Sequence, residues 1–342
     1  MELSKGGRQM TTLTGNTGER ARCCLRWRGR VILSLLWGFT WLAIGQAQPG
    51  GGAAFSRAED GGYAVFVSRR TGAAELYLLE LETRQVTQLT QTGRGHHTPA
   101  VAQTTRSLVF AAQQGAGFEL YEARWGAQLR TRRPTLIGLT RLTINVMDEF
   151  APSVTADGQW IAFSSGLGIE VLGSGEGGTR HLLVPTVAEY RDFAPAISPD
   201  GKEVAFVSDR SGVPELWIYE RSSRQARQVT NGLAVLGGVA WRADSRQLVV
   251  TTGATPSGRT GIALVDPVSG SSRIVTEEED RNASFSAAGD RILFSSTRDG
   301  DAELYLLTLA TGVTQRLTVS PGFDDNPVFL APLPALPGRP VR

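Results

Sequence analysis

The chain has 342 residues, 40 glycines, 20% charged residues and a formal net charge of +2. Such a length permits one large domain or two ordinary ones, and the composition excludes wholesale disorder in favour of a turn-rich globular fold. Residues 1–47 alone carry +5, from seven basic and two acidic side chains, so the rest is about −3 and offers no electrostatic footing for nucleic acid.

In chain order, the N-terminal stretch reads as an export signal. RWRGR supplies a positive region, VILSLLWGFTWLAI an uncharged apolar run, and GQA-QPG a small-x-small cleavage site after Ala47. The 14-residue run would make a helix of about 21 Å, short of the ~30 Å hydrocarbon core, so a cleaved signal is expected rather than an anchor. The mature protein is then expected in the periplasm or outside the cell, with no stable membrane span. Cys23 and Cys24 both precede the apolar run. Cleavage therefore leaves no cysteine, which excludes disulfides, thiolate metal sites and a cysteine nucleophile.

After a short linker at 48–52, one segment recurs six times. Its landmark is Phe66 in YAVFVS, followed by Phe110, Phe163, Phe206, Val250 and Phe294 at intervals of 44, 53, 43, 44 and 44 residues. The interval of 53 marks an insertion around Arg124–Pro134, whose Arg130, Arg132 and Arg133 suit a solvated hairpin. Five residues before each landmark lies a turn, at Gly61, Thr105, Gly158, Gly201, Ser245 and Gly289. In SPDG, Pro199 pre-sets φ, Asp200 bonds locally and Gly201 accepts positive φ. The landmark strand is apolar on both faces, as a strand between neighbouring sheets should be. A Gly-containing turn, an ELY- or ELW-type strand and a Thr-rich outer strand complete each unit. A period in the low forties with four strands predicts an all-β fold: a six-bladed β-propeller of four-stranded antiparallel blades.

First-strand candidates run from AAFS (53–56) to NPVFL (326–330), seven for six places. The C-terminal strand is therefore expected to close the ring, with the propeller at 53–330 and a Pro-rich extended tail at 331–342.

The units SPDGKEVAFVSDRSGVPELWIYE and LFSSTRDGDAELYLL resemble the repeats of the TolB-type six-bladed propellers. The resemblance covers roughly residues 53–330 and implies a propeller of the cell envelope. TolB itself carries an α/β domain ahead of its propeller, where this chain has Gln48–Gly52.

Chemistry is sparse. The loops leading into the innermost strands align His96, Glu149, Asp192, Leu236, Asp280 and Asp324, with Asp148, Glu278, Glu279 and Asp325 close by. These side chains are expected at one mouth of the central channel, where acids would attract a cation or a basic peptide segment. The plainer alternative is that each acid caps its own turn. Phe150, Tyr190, Phe193 and Phe323 lie in the same loops, as anchors for a partner or as inter-blade packing. The expected partner-binding set is His96, Glu149, Asp192, Asp280, Asp324, Asp325 and Phe193, with no catalytic residue, metal or cofactor. The leading expectation is an exported, monomeric, non-enzymatic scaffold that binds a protein. The alternative is a ligand- or metal-binding propeller with carbohydrate-lyase-like activity, using His96 or His97 and two carboxylates. No GxSxG elbow is present, and the recurring Ser68, Ser165, Ser208 and Ser296 belong to the repeat. GSGEGG (173–178) lacks the ending of a phosphate loop, and TRDGD (297–301) lacks calcium-loop spacing.

Overall fold

The computed structural model describes residues 62–127, 134–144, 147–174 and 178–332. The expected signal (1–47), the linker (48–52), the AAFS segment, the Arg130–Arg133 cluster, the centre of GSGEGG and the tail from 333 onward lie outside the described residues.

Twenty-four strands form six four-stranded antiparallel sheets, and no helix occurs among the described residues. Blade 1 begins with β1 (Tyr63–Ser68), β2 (Glu75–Glu80) and β3 (Val86–Gln88). Blade 2 has β4 (His96–Ala102), β5 (Ser107–Gln114), β6 (Gly117–Ala127) and β7 (Pro134–Arg141). Blade 3 has β8 (Phe150–Val154), β9 (Trp160–Ser165), β10 (Gly168–Gly173) and β11 (Arg180–Pro185). Blade 4 has β12 (Asp192–Ile197), β13 (Glu203–Ser208), β14 (Glu215–Glu220) and β15 (Gln225–Gln228). Blade 5 has β16 (Val235–Trp241), β17 (Leu248–Thr252), β18 (Gly261–Val265) and β19 (Ser272–Thr276). Blade 6 has β20 (Asp280–Phe285), β21 (Arg291–Ser296), β22 (Glu303–Thr308) and β23 (Val313–Arg316). The last strand, β24 (Asp324–Leu330), pairs antiparallel with β1 and supplies the innermost strand of blade 1. One C-terminal strand thus closes the ring. The insertion lengthens β6 and β7 of blade 2, where β6 has 11 residues against 6 in β2.

The core is divided into six apolar clusters, one per seam between blades. Ala64 and Phe66 pack against Leu293 and Leu304 of blade 6, whereas Val65 and Val67 pack against Leu108 and Phe110 of blade 2. Alternate side chains of one strand therefore enter different seams, which is why the landmark strands carry no polar face. All six landmark positions are at most 1% exposed. Truncating such a phenylalanine to alanine costs about 3–5 kcal/mol.

The turns follow their chemistry. Gly201 has φ of 73° and donates its N–H to the Ser198 carbonyl at 2.9 Å, while Asp200 accepts from the Ser198 hydroxyl at 2.8 Å. Blade 2 differs from the expected register. Its left-handed residue is Arg106 (φ 58°) rather than Thr105, and the Arg106 N–H reaches back four residues to Ala102. Without glycine or proline, that turn is one residue wider.

Each innermost strand carries a bulge that leaves two residues unpaired. The first has positive φ in every blade: Thr98, Ala151, Ala194, Gly238, Asn282 and Asn326. Backbone groups released near the bulges find partners across the seams. Ile197 N–H donates to Ser153 Oγ at 2.9 Å, and Asn282 N–H to Thr251 Oγ1 at 3.1 Å. These bulges splay the strands around the channel.

Candidate functional site at the channel mouth

The aligned loop positions meet at one end of the innermost strands, but the acids are buried within their blades and paired. Asp324, Asp192 and Asp280 open β24, β12 and β20. Each accepts from an arginine that the turn of its own blade supplies: Arg70 at 2.8 Å, Arg210 at 2.7 Å and Arg298 at 2.7 Å. The serine two residues before each arginine accepts the Arg Nε at 2.8–3.0 Å, from Ser68, Ser208 and Ser296. Each guanidinium also lies over the landmark phenylalanine and an aromatic of the next strand: Phe66 with Tyr77, Phe206 with Trp217, and Phe294 with Tyr305. In these three blades the recurring serine is thus an acceptor in an Asp–Arg–Ser clamp, with a cation–π contact beneath it.

The other three blades fill the place differently. In blade 3, Leu167 stands where the arginine would be, and Arg180 reaches in from β11 to Glu149 at 2.7 Å and Glu170 at 2.5 Å. The hydrogen bond to Glu170 and the nearby carboxylates raise the Arg180 pKa further above its ordinary value. Burial pushes Glu170 upward, but its bonds from Arg180 and Ser165 outweigh that and hold it low. In blade 2 the aspartate position is His96, whose Nε2 lies 2.6 Å from Thr92 Oγ1 and 3.2 Å from Glu75 Oε2. In blade 5 pairing puts Val235, not Leu236, opposite Thr252. Leu236 is an additional residue, pushed outward by a second register shift before Gly237. Ala254 takes the arginine place in that blade, since its N–H bonds Thr252 Oγ1 as Arg210 N–H bonds Ser208 Oγ.

A second buried set had a sequence signal that the repeat landmarks left unread. The glutamate of ELY and ELW stands at the start of the third strand in blades 1, 4 and 6 and two residues inside it in blade 2. Glu75, Glu119, Glu215 and Glu303 are all at most 3% exposed. Glu215 accepts from the Thr230 hydroxyl at 2.5 Å and from Gly232 N–H at 2.6 Å, and Glu303 binds Thr318 and Ser320 in the same way. The signal is the threonine 15 residues after the glutamate in blades 1, 4 and 6. These carboxylates pin the loop that leads into the next blade.

One residue further along the innermost strands, the side chains reach the mouth itself. Phe193, Asp325, Arg281 and His97 are partly exposed, and Phe150 and Leu236 are exposed. Phe118 bridges His97 and Phe150, with ring centroids 5.1 Å apart on each side. Asp325 accepts from Ser295 Oγ at 2.5 Å and Asn282 Nδ2 at 2.9 Å. Tyr190 covers Arg210 at 4.6 Å. Of the expected set, Asp325 and Phe193 face the mouth, while His96, Glu149, Asp192, Asp280 and Asp324 lie beneath it. No group of three or more His, Cys, Asp or Glu side chains converges to hold a metal among the described residues.

Below the mouth, the six innermost strands enclose a cavity of about 560 Å³. No charged side chain lines it. Prolines at positions 99, 152, 195 and 327 follow the positive-φ residues and remove N–H donors that a polar lumen would present.

No family model matches the sequence, and no curated protein matches it. Among solved structures the chain is similar to TolB from Acinetobacter baumannii, with TM-score 0.63 and 18% identity. That likeness covers 78% of this chain and 66% of the other, just under two thirds of its length. The putative TolB from Agrobacterium tumefaciens matches with TM-score 0.56 and 19% identity, over 77% of this chain and 89% of that one. Kuenenia stuttgartiensis hydrazine synthase matches with TM-score 0.61 and 14% identity, over 80% of this chain and 47% of that one. Identities this low speak for the fold: a six-bladed β-propeller of TolB-like architecture.

Proposed function

We propose that this chain is an exported, non-enzymatic β-propeller that binds a protein partner through its channel mouth and the surrounding loops. The observation that carries this reading is the exposed apolar set on that face, which includes Ile144, Met147, Phe150, Leu167, Leu236 and Val319. Apolar anchors ringed by polar loops are the composition of a docking surface. His96, Glu149, Asp192, Asp280 and Asp324 would serve it from beneath by fixing the loops, and Phe193 and Asp325 would touch the partner. The signal-like residues 1–47 and the TolB-like fold support an envelope location.

The test places a photo-crosslinking residue at Phe150 or Leu236 in living cells, with Val268 on the opposite face as control. A single adduct from the mouth positions and none from Val268 is expected. Equal labelling from both faces, or none from the mouth, refutes the docking face. The intact mass of the exported protein checks the export step, with Gln48 expected at its N-terminus.

A further inference from the structure

The six positive-φ residues of the bulges are equivalent by strand pairing, so the fold asks the same of each. Blades 3, 4 and 5 answer with Ala151, Ala194 and Gly238, whereas blades 6, 1 and 2, also consecutive, answer with Asn282, Asn326 and Thr98. All six line the central cavity. The lumen is therefore divided lengthwise into a small apolar arc and a polar, uncharged arc. Backbone conformation accounts for asparagine, which tolerates positive φ, but not for threonine. Thr98 is β-branched at φ of 44°, and its buried Oγ1 has no hydrogen-bond partner. Two other blades hold alanine there, so the fold does not require it. Asn282 gives its side-chain N–H to Asp325, which leaves the carbonyl oxygen, and Asn326, whose backbone N–H donates to Asp325 at 2.7 Å, lines the lumen beside it.

We propose that this channel is a binding site for a neutral, mainly apolar small molecule that carries one amide or hydroxyl edge. That edge meets Thr98, Asn282 and Asn326, and the apolar body lies against Ala151, Ala194 and Gly238, beside Phe193 and Trp241. The cavity volume lies within the ~300–1,000 Å³ of small-molecule sites. A carboxylate or ammonium would meet no charged side chain in the lining. Asp325 at the mouth is already bonded to Ser295 and Asn282 and paired with Arg281, so either ion would lose hydration uncompensated. Gly238 is part of the shape, since a Cβ there would lie 2.5 Å from Thr251 Oγ1. The site needs no partner protein, so its failure and the failure of the docking face are separate results.

The probes are benzamide and its charged isosteres benzoate and benzylammonium, tested on the purified propeller by saturation-transfer NMR and by the fluorescence of Trp241, with Trp241→Phe as the control. Benzamide is expected to bind at least about tenfold more tightly than either ion. Asn282→Ala/Asn326→Ala, which copies blades 3 and 4, should weaken benzamide about tenfold while the melting temperature holds. Ala194→Asn, tolerated at positive φ, should block the lumen and also abolish binding. Absence of benzamide binding, equal binding of the three probes, or unchanged affinity in the double variant overturns the proposal.

Discussion

Blade 6 and blade 5 solve the same packing problem in opposite ways. Blade 6 buries Asp280 against Arg298 and Ser296, whereas blade 5 puts Val235 and Ala254 at the same two places. Blade 3 adds a third solution, with Arg180 reaching Glu149 from β11 instead of from the turn. What the fold demands at the head of each innermost strand is a filled site, either apolar or with its buried polar group bonded to a neighbour. A paired Asp–Arg meets that demand, and so does an apolar pair, because the desolvation cost and the attraction of an ion pair nearly offset each other.

The sharpest way to break this comparison is to leave one partner behind. Arg298→Ala strands the fully buried Asp280 carboxylate and should cost about 3–5 kcal/mol in urea unfolding. Copying blade 5 with Asp280→Val/Arg298→Ala should restore most of that loss. A double variant as unstable as the single one would mean that blade 6 needs its charges.

A step down in size, Glu215→Ala removes the acceptor of Thr230, Gly232 and Leu233. Stranded donors cost about 1–3 kcal/mol each before the loop relaxes, so a loss of about 3 kcal/mol is expected. The loop should also become more labile to limited proteolysis, whereas Glu203→Ala on the blade surface should not open it.

The third prediction uses blade 2, where histidine replaces aspartate. Burial holds His96 below the ordinary imidazole range, with Glu75 pulling it partly back, and burial lowers His97 as well. Both rings therefore bind a proton less readily folded than unfolded. Their contribution is complete above the unfolded value of ~6.5, declines below it and is lost as the pH falls through the lowered folded values. The urea midpoint should decline from about pH 7.5 to about pH 5.5, and less so in His96→Gln/His97→Gln. An identical slope in that variant would assign the decline to other groups.

The smallest effect belongs to the bulges. Thr98→Ala, which installs the residue of blades 3 and 4, relieves a β-branched side chain at positive φ and removes an unpartnered hydroxyl. A gain of about 1 kcal/mol is expected. A loss would show that the threonine supports the fold itself.

Much of this molecule was legible in order of residues alone. The landmark spacing, the glycine turns and the surplus first-strand segment determined six blades, their seams and the closure by β24. These features are local or strictly periodic, so each repeat reports on the others. That Asp192, Asp280 and Asp324 stand at the heads of innermost strands was legible for the same reason.

Their burial was not. That Asp280 faces Arg298 rather than a partner depends on how the 2–3 turn folds back over the innermost strand, which no spacing reveals. Arg180 lies outside the repeat pattern altogether, and the extra Leu236 moved Val235 into the place that alignment had assigned to Leu236. The division of the channel into polar and apolar arcs arises only when β24 sits beside β4 and β20, joining the chain's end to its beginning. The sequence by itself determined the blade, because turn geometry and alternating burial act over a few residues. Tertiary structure alone decided which charges are neutralised and what lines the lumen, because those depend on side chains brought together across the closed ring.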